Sequence, residues 1–117
     1  MKLRLSARGV ELSAELKEYV NRRVHFSLGR FAGKIKHLSI RMADVNGPRG
    51  GIDQCCDIRI DAGLRQKVVV RERQATIHAS VAFAFERAER SVERQLSLAS
   101  VAGRRSAIPR TNFQFGD

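Results

Sequence analysis

Three short stretches of the chain alternate apolar and polar residues, a fourth is rich in valine, and two longer stretches repeat apolar residues at helical spacing. Alternation puts successive side chains on opposite faces of a strand, whereas a spacing of three or four residues aligns them on one face of a helix. The four short stretches are residues 2–7, 35–45, 52–61 and 67–72. The helical pattern covers residues 13–31 and 75–100. The predicted order is therefore β-α-β-β-β-α.

The ends and connections of these elements follow from local chemistry. Ser13 suits the N-cap of the first helix because its hydroxyl can accept a hydrogen bond from the first turn, and Gly33 is expected to end that helix. The Gly- and Pro-rich residues 46–51 predict a hairpin, so the later strands pair antiparallel. The first two strands are joined through a helix and are expected to be parallel. The result is an α+β fold, a four-stranded, mostly antiparallel sheet with two helices on one face.

One domain at residues 1–100 accounts for all six elements, and a basic, flexible tail is expected at residues 101–117. No apolar run approaches the ~20 residues that a membrane-spanning helix needs, and the N-terminus lacks the apolar stretch of a signal peptide. We therefore expect a cytoplasmic protein without a membrane partner. Cys55 and Cys56 are adjacent, so we expect one in the core and one on the surface, which suits a reducing compartment.

Charge changes this picture more than any other property of the sequence. The chain has 22 Lys and Arg against 12 Asp and Glu, a formal net charge of +10, and 17 of the 22 cations are arginine. Arginine pairs with phosphate through a planar fork and also stacks on bases. A high isoelectric point can simply keep a protein in solution, but an excess this large on a short chain favours a polyanionic partner such as RNA.

The candidate RNA-binding residues lie on the two predicted helices. Arg87, Arg90 and Arg94 recur at a spacing that puts them on one side of the last helix. Because Glu86 can pair with Arg90, and Arg90 with Glu93, a solvated, salt-bridged face is an equally good interpretation of this helix alone. The first helix and the residues after it supply the other candidates: Arg22, Arg23, Arg30 and Lys34.

The cations in the second half of the first helix and after it are followed by a long stretch without acidic residues. No Asp or Glu lies between Glu18 and Asp44, so these cations repel one another unless a partner neutralises them. Side by side on one sheet face, the two helices are expected to present a single basic ridge. Phe26 has two interpretations, stacking on a base or packing at the edge of the core, and we prefer the second.

The sequence offers no convincing catalytic or metal-binding arrangement. The histidines fall on three predicted elements without Cys or Asp at ligand spacing: His25, His37 and His78. The glycines of residues 47–51 lack the Lys-Ser/Thr of a phosphate-binding loop. Three carboxylates on one predicted strand are interpreted as solvated partners of nearby arginines: Asp53, Asp57 and Asp61 beside Arg41, Arg59 and Arg71. We therefore expect no enzyme, no cofactor, no metal and no small-molecule substrate.

Several local features along residues 1–100 occur together in one known family: Gly9-Val10-Glu11-Leu12-Ser13, Leu16, Tyr19-Val20, Arg30-Phe31, the connector 44–53 and the helix pattern of residues 79–94. In these features, in element order and in length, the chain resembles the ribosome hibernation-promoting factor family, which includes the ribosome-associated inhibitor A proteins. The resemblance implies a fold similar to a double-stranded-RNA-binding domain.

The resemblance also implies a function. Family members bind ribosomal RNA of the small subunit, in the channel for messenger RNA and the A- and P-site transfer RNAs, and hold idle ribosomes inactive. The positions here that match their basic helix faces are Arg22, Arg23, Arg30, Lys34, Arg87, Arg90 and Arg94. The implied protein is a stress factor that blocks messenger and transfer RNA binding.

Two departures from the family pattern bear on this expectation. The last helix begins Ala75-Thr76-Ile77-His78, where the family usually has an acidic residue and a tyrosine. The 17 residues after Ser100 are too few for the second domain of long members, which pairs ribosomes. We therefore expect a short-form member that is monomeric off the ribosome.

Two other classes of function stay open at this point. One is a general double-stranded-RNA-binding module that is not specific to ribosomes. The other is a protein-interaction module that uses the open face of the sheet. Four cations make that face polar, which argues against a large apolar interface: Arg41, Arg59, Lys67 and Arg71.

Overall fold

Four strands and two long helices make up the part of the chain that the computed structural model describes, residues 1–45, 53–63 and 66–107, with side chains up to residue 99. The elements are β1 (Lys2–Arg8), α1 (Ala14–Leu28), β2 (His37–Asp44), β3 (Gln54–Asp61), β4 (Val68–Gln74) and α2 (Ile77–Ala107). The predicted order β-α-β-β-β-α is confirmed. No helix of these described residues is both long and apolar enough to cross a membrane.

The strands form one sheet in the order β1-β2-β3-β4. β1 runs parallel to β2, whereas β2 with β3 and β3 with β4 are antiparallel, as predicted. One apolar row crosses all four strands: Leu5 lies opposite Ile40, Ile40 opposite Ile58, and Ile58 opposite Val70. Because alternate residues share a face, this row places the apolar side chains of every strand on the same side of the sheet.

Both helices pack on that apolar side of the sheet. Their buried stripes join the sheet residues in a single core: Leu16, Val20, Val24 and Leu28 from α1, and Val81, Ala84, Phe85, Ala88 and Val92 from α2. Phe85 is the largest of the fully buried side chains. The α+β class with two helices on one face is therefore confirmed, and no helix or strand of the described residues covers the opposite face of the sheet, here called the open face.

The helix ends agree only partly with the predicted ends. Ser13 is the N-cap of α1, and its Oγ accepts a hydrogen bond from the Leu16 backbone N–H at 3.1 Å. The α-helix ends at Leu28 and a 3-10 turn follows at Gly29–Phe31, so Gly33 does not end it.

The last helix is longer than its pattern indicated. α2 continues to Ala107 through Gly103, so residues 101–107 are helical rather than irregular. A glycine inside a helix costs only about 1 kcal/mol relative to alanine, which does not by itself end the helix. The hairpin connector at residues 46–51 and the tail from residue 108 onwards lie outside the described residues.

The open face of β3 buries two residues that were predicted to be accessible. Cys55 and Asp57 are each only 8% exposed, so the expectations of a surface cysteine and a solvated Asp57 are wrong. β3 is an interior strand, and the long side chains of its neighbours cover its short ones. The predicted partner of Asp57 is confirmed, because Asp57 Oδ2 accepts a hydrogen bond from Arg71 Nη2 at 3.2 Å.

Cys56 lies in the core, as one of the two cysteines was predicted to do. Burial raises the pKa of the Cys56 thiol to about 12, with smaller contributions from Cys55 and Asp57. Because the thiolate is the reactive form, this thiol stays protonated and unreactive at neutral pH.

Candidate nucleic-acid interface

Among the described residues, four hydrogen bonds join α1 and the turn after it to α2: Tyr19 Oη to the His78 carbonyl at 3.2 Å, Arg23 Nη2 to the Ala82 carbonyl at 3.3 Å, and Arg30 Nη2 to Glu89 Oε2 at 3.2 Å and to Glu93 Oε1 at 3.3 Å. In the first three the partners are 59 residues apart in sequence, and in the fourth, one helical turn further along α2, they are 63 apart. A constant offset means that the two helices run in the same direction with a fixed stagger. This stagger decides which side of α2 faces α1 and which side faces solvent.

The solvent side of α2 carries a row of three arginines, Arg87, Arg90 and Arg94, here called the arginine row. All three are exposed and line one shallow cavity of about 330 Å³ together with Ser91. At 100° per residue they fall within one narrow sector of the helix. The structure therefore brings these three residues together, as their spacing predicted.

The three arginines of the row differ in their partners. Arg87 Nη1 donates to Glu72 Oε2 at 2.6 Å and to the Arg71 carbonyl at 2.9 Å, which fixes it against the edge strand β4. Among the described residues, Arg90 and Arg94 make no ion pair or hydrogen bond through their side chains. Arg90 and Arg94 are therefore free to bind phosphate without giving up an existing partner.

The hydrogen bond from Arg87, and then that from Gln74, holds the pKa of Glu72 below its ordinary value of 4.5. A carboxyl group whose pKa is lower in the folded than in the unfolded protein stabilises the fold. This stabilisation is fully present at pH values above the pKa of the unfolded protein, and it is lost as the pH falls through the pKa of the folded protein.

Glu72→Gln should therefore lower the melting temperature at about pH 7, and its difference from wild type should shrink as the pH falls below about 4.5. The pair is partly exposed, so we expect an effect of about 1 kcal/mol or less at neutral pH. Thermal melts of both proteins at several pH values would measure it. A difference that stayed constant down to about pH 3 would contradict the assignment.

Arg30 is engaged by two glutamates of α2, although its side chain is exposed. Its Nη2 lies 3.2 Å from Glu89 and 3.3 Å from Glu93, and its guanidinium lies 4.5 Å from the centre of the Phe31 ring. The pairing of Arg90 with Glu86 and Glu93, which the spacing allowed as one of two interpretations, is not formed among the described residues. The reason is the parallel stagger, which turns these glutamates toward α1 and away from the arginine row.

The remaining candidates of the first helix are held to different degrees. Arg22 is exposed and lies 3.8 Å from Glu18. Arg23 is half-buried between the helices, and its guanidinium lies 5.5 Å from the centre of the Phe26 ring. Lys34 is exposed after the end of α1. RNA contact stays a prediction for all seven candidate residues.

The two helices do not form one continuous basic ridge, in contrast to the expectation from sequence. A glutamate strip, defined as Glu86, Glu89 and Glu93, lies on the side of α2 that faces α1. The arginines of α1 and the arginine row therefore lie on either side of this strip, and Arg30 partly neutralises it. Among the described arginines of α2, Arg90 and Arg94 are the ones without an ion pair.

Removing charge from the glutamate strip should strengthen RNA binding. Each carboxylate about 8 Å from a bound phosphate opposes binding by about 0.5 kcal/mol in water, so Glu89→Gln/Glu93→Gln should raise affinity about fivefold. Anisotropy titrations with a short RNA duplex would measure this. Glu11→Gln/Glu15→Gln makes the same charge change at the N-terminal end of α1 and is the matched control. An equal rise in RNA affinity in both double variants would contradict an effect that is specific to the glutamate strip.

Two aromatic side chains beside these arginines are exposed. Phe26 is 79% exposed, so the preferred interpretation, that it packs at the edge of the core, is wrong. Phe83 is 47% exposed and lies one helical turn before Arg87, in line with the arginine row. Sequence reasoning missed Phe83, although its place outside the buried stripe of Val81 and Phe85 could have indicated it. An exposed ring next to arginines can stack on an unpaired base.

The described residues contain no group of three or more His, Cys, Asp or Glu side chains that could hold a metal ion. The arginine row instead presents guanidinium groups beside an exposed aromatic ring. Guanidinium groups suit contacts with phosphate, and the ring suits contacts with a base.

Solved structures with a similar fold include two from bacteria. A ribosomal subunit interface protein from Coxiella burnetii matches with a TM-score of 0.70 at 12% identity, over 83% of this chain and 99% of that one. The N-terminal domain of Protein Y from Thermus thermophilus matches with a TM-score of 0.66 at 21% identity, over 80% of this chain and 98% of that one. At these identities the likeness shows a shared fold. A search of the curated proteins finds no match.

The family comparison covers most of the chain. Residues 3–97 match the family described as sigma 54 modulation protein / S30EA ribosomal protein, a stretch that includes residues of both helices and all four strands. The resemblance to the hibernation-promoting factor family is thereby confirmed. The chain belongs to the sigma 54 modulation protein / S30EA ribosomal protein family.

Proposed function

We propose that this protein binds the small ribosomal subunit through ribosomal RNA, occupies the channel of messenger and transfer RNA, and holds the ribosome inactive. The observation that carries this proposal is the arginine row, in which Arg90 and Arg94 are exposed, lie near the exposed ring of Phe83, and form no ion pair with any residue that the structure describes. The family is one of ribosome-associated factors and is not a known family of enzymes.

The chemistry of the arginine row favours RNA over other partners. Guanidinium groups form charge-assisted, often bidentate hydrogen bonds with phosphate, which are about twice as strong as neutral ones. Three such groups along two turns of one helix can follow a phosphate backbone. The net charge of +10 adds a long-range attraction to any polyanion, and the ribosome presents a very large one.

The relatives support a position at the subunit interface. The Coxiella burnetii protein of similar fold is named a ribosomal subunit interface protein. The channel for messenger and transfer RNA opens at that interface, so a protein bound there through RNA phosphates would compete with both ligands. We propose that the protein acts as a monomer in the cytoplasm, where ribosomes are.

Sedimentation of cell extracts through sucrose gradients would test this function. We expect the protein in the small-subunit and whole-ribosome fractions of stationary-phase cells. Its absence from both fractions would overturn the proposal. Purified small subunits with bound initiator transfer RNA provide a second test, because adding the protein should release that transfer RNA.

A competition assay would separate this function from general binding to RNA duplexes. Unselective phosphate binding weakens steeply with salt and does not distinguish a ribosome from a duplex of equal phosphate content. We expect purified small subunits to displace the protein from a labelled duplex at much lower phosphate concentration than unlabelled duplex does. Equal potency at several salt concentrations would favour the general duplex-binding module.

A further inference from the structure

The open face of the sheet is also rich in positive charge. By register and strand alternation, seven cations of the strands point to this side, against two carboxylates. The cations are Lys2, Arg4, Arg8, Arg41, Arg59, Arg71 and Arg73, and the carboxylates are Asp57 and Asp61. All seven cations are exposed. This face is therefore a second basic surface, on the side of the sheet away from both helices.

The two carboxylates of this face are already engaged. Asp57 accepts a hydrogen bond from Arg71 at 3.2 Å, and Asp61 Oδ1 accepts one from the Gly63 backbone N–H at 3.0 Å. Neither carboxylate forms a salt bridge with any other described cation of the face. Within the described residues, five arginines of this face form no ion pair: Arg4, Arg8, Arg41, Arg59 and Arg73.

Four arginines of the face surround a shallow concavity of about 530 Å³, which we call the sheet concavity. Two small residues, Ala43 and Cys55, lie at its centre, directly opposite each other on β2 and β3. The surrounding arginines are Arg8, Arg41, Arg71 and Arg73. Strands lie about 4.8 Å apart, so Arg8 on β1 and Arg73 on β4 are three strand spacings, or about 14 Å, apart at the backbone.

The buried carboxylate of Asp57 helps to shape this concavity. It lies between Arg41 on β2 and Arg71 on β4 in the strand register, and it binds Arg71 directly. Asp57 is a positioning residue here, because it holds one guanidinium in place and is itself only 8% exposed. The remaining arginines around the concavity keep their full positive charge.

The composition of the face indicates phosphate contacts without base stacking. No Phe, Tyr or Trp occurs on any of the four described strands, so the sheet lacks the aromatic platform on which some RNA-binding sheets stack bases. A face of exposed guanidinium groups is poorly suited to a large apolar protein interface. Its charge complements a polyanion, and the phosphate backbone of RNA is the densest one on a ribosome.

We propose that the sheet concavity is a second RNA-binding surface, which contacts a segment of ribosomal RNA different from the one at the arginine row. The sheet concavity lies on the open face of the sheet, whereas Arg90 and Arg94 lie on the solvent side of α2, which packs on the other face and is about 10 Å thick. A straight RNA helix that lies flat against the concavity faces away from Arg90 and Arg94. The protein therefore bridges two RNA segments, an inference that rests on the proposed function.

Tethered hydroxyl-radical cleavage on purified small subunits would test the bridge. Ser6→Cys places an iron chelate on the exposed face of β1 beside the sheet concavity, and Ser91→Cys places one in the cavity of the arginine row. The native Cys55 and Cys56 are buried, so the wild-type protein is the labelling control. We expect each variant to cleave its own segment of ribosomal RNA.

The outcomes separate this inference from the proposed function. Cleavage from Ser91→Cys without cleavage from Ser6→Cys would overturn the bridge and leave ribosome binding intact. Cross-linking of Ser6→Cys to a ribosomal protein, without RNA cleavage, would overturn it in favour of an acidic protein partner. Failure of both variants and of wild type to bind small subunits would overturn the proposed function together with the bridge.

Removing charge around the sheet concavity provides a second, independent test, in which the affinity for small subunits is measured. Arg8→Gln/Arg41→Gln/Arg73→Gln removes three charges around the sheet concavity and keeps the Arg71–Asp57 pair, so the fold should be retained. We expect affinity for small subunits to fall at least tenfold, and the slope of log affinity against log salt to flatten by about 0.9 for each phosphate that the variant no longer neutralises. An unchanged slope in a folded variant would overturn the second surface.

Discussion

Reversing two charges of the arginine row, as Arg90→Glu/Arg94→Glu, should weaken binding to small ribosomal subunits on the order of 100-fold. A hydrogen bond to a charged group contributes about 1.5–3 kcal/mol, so removing two such bonds costs at least ~3 kcal/mol, and each 1.4 kcal/mol is tenfold. The introduced carboxylates also repel the phosphates they would face. Co-sedimentation or anisotropy titrations at fixed salt would measure the weaker binding.

The choice of these two residues follows from their partners. Arg87 belongs to the same row but holds Glu72 at 2.6 Å, so changing it would alter the edge of the sheet as well as the charge. Arg90 and Arg94 have no such contact among the described residues, so their reversal should leave the melting temperature nearly unchanged.

A matched variant separates charge from the shape of the guanidinium group. Arg90→Lys/Arg94→Lys keeps both charges and removes only the planar fork. We expect it to bind far better than the charge-reversed protein, with a moderate loss of affinity against wild type. Wild-type affinity in the folded Arg90→Glu/Arg94→Glu protein would contradict the role of the arginine row.

Phe85→Ala should destabilise the fold by about 3–5 kcal/mol, the range for removing a buried phenylalanine. Phe85 is 0% exposed and lies where α2 packs on the sheet, so its removal leaves a cavity at the centre of the core. Small domains are stable by only about 5–15 kcal/mol, so the variant should unfold at a much lower temperature than wild type. Urea titrations followed by circular dichroism would give the free energy of unfolding.

Phe83→Ala is the matched control for this core substitution. It removes the same side chain two residues away on the same helix, but Phe83 is 47% exposed. We expect a loss of stability below about 1 kcal/mol, and a loss in RNA affinity equivalent to one base stack, about 1–3 kcal/mol. Equal destabilisation by both substitutions would contradict the burial of Phe85 and the exposure of Phe83. If the Phe83→Ala protein folded and bound RNA with wild-type affinity, the Phe83 ring would not be part of the RNA interface.

Periodicity was sufficient to predict the fold and one part of the candidate site. The apolar stripe of α2 places Val81, Phe85 and Val92 in the core, and the same period places Arg90 and Arg94 together on the solvent side. Both are properties of a single element, which the spacing of its own residues determines.

The contacts between elements could not be predicted in the same way. Glu93 pairs with Arg30 rather than with Arg90, because the stagger of two parallel helices decides which side chains meet. Asp57 is buried because its strand lies between two arginine-bearing neighbours, which depends on strand order. The spacing of residues within one helix or strand reveals neither the stagger between two helices nor the order of the strands in a sheet. The basic sheet face likewise emerges only when four strands are assembled in register.

The parallel course of α1 and α2 also makes the helical layer of the molecule electrically polar. Both helices begin at the same end, where Glu11, Glu15 and Glu18 line a common cavity with His78, while Arg90 and Arg94 lie further along α2. In the field of a large polyanion such a molecule turns its basic part forward before any contact forms. Productive collisions become more frequent, and the association rate rises at low salt. The stagger of two helices thus influences how fast, and from which side, the protein first meets the ribosome.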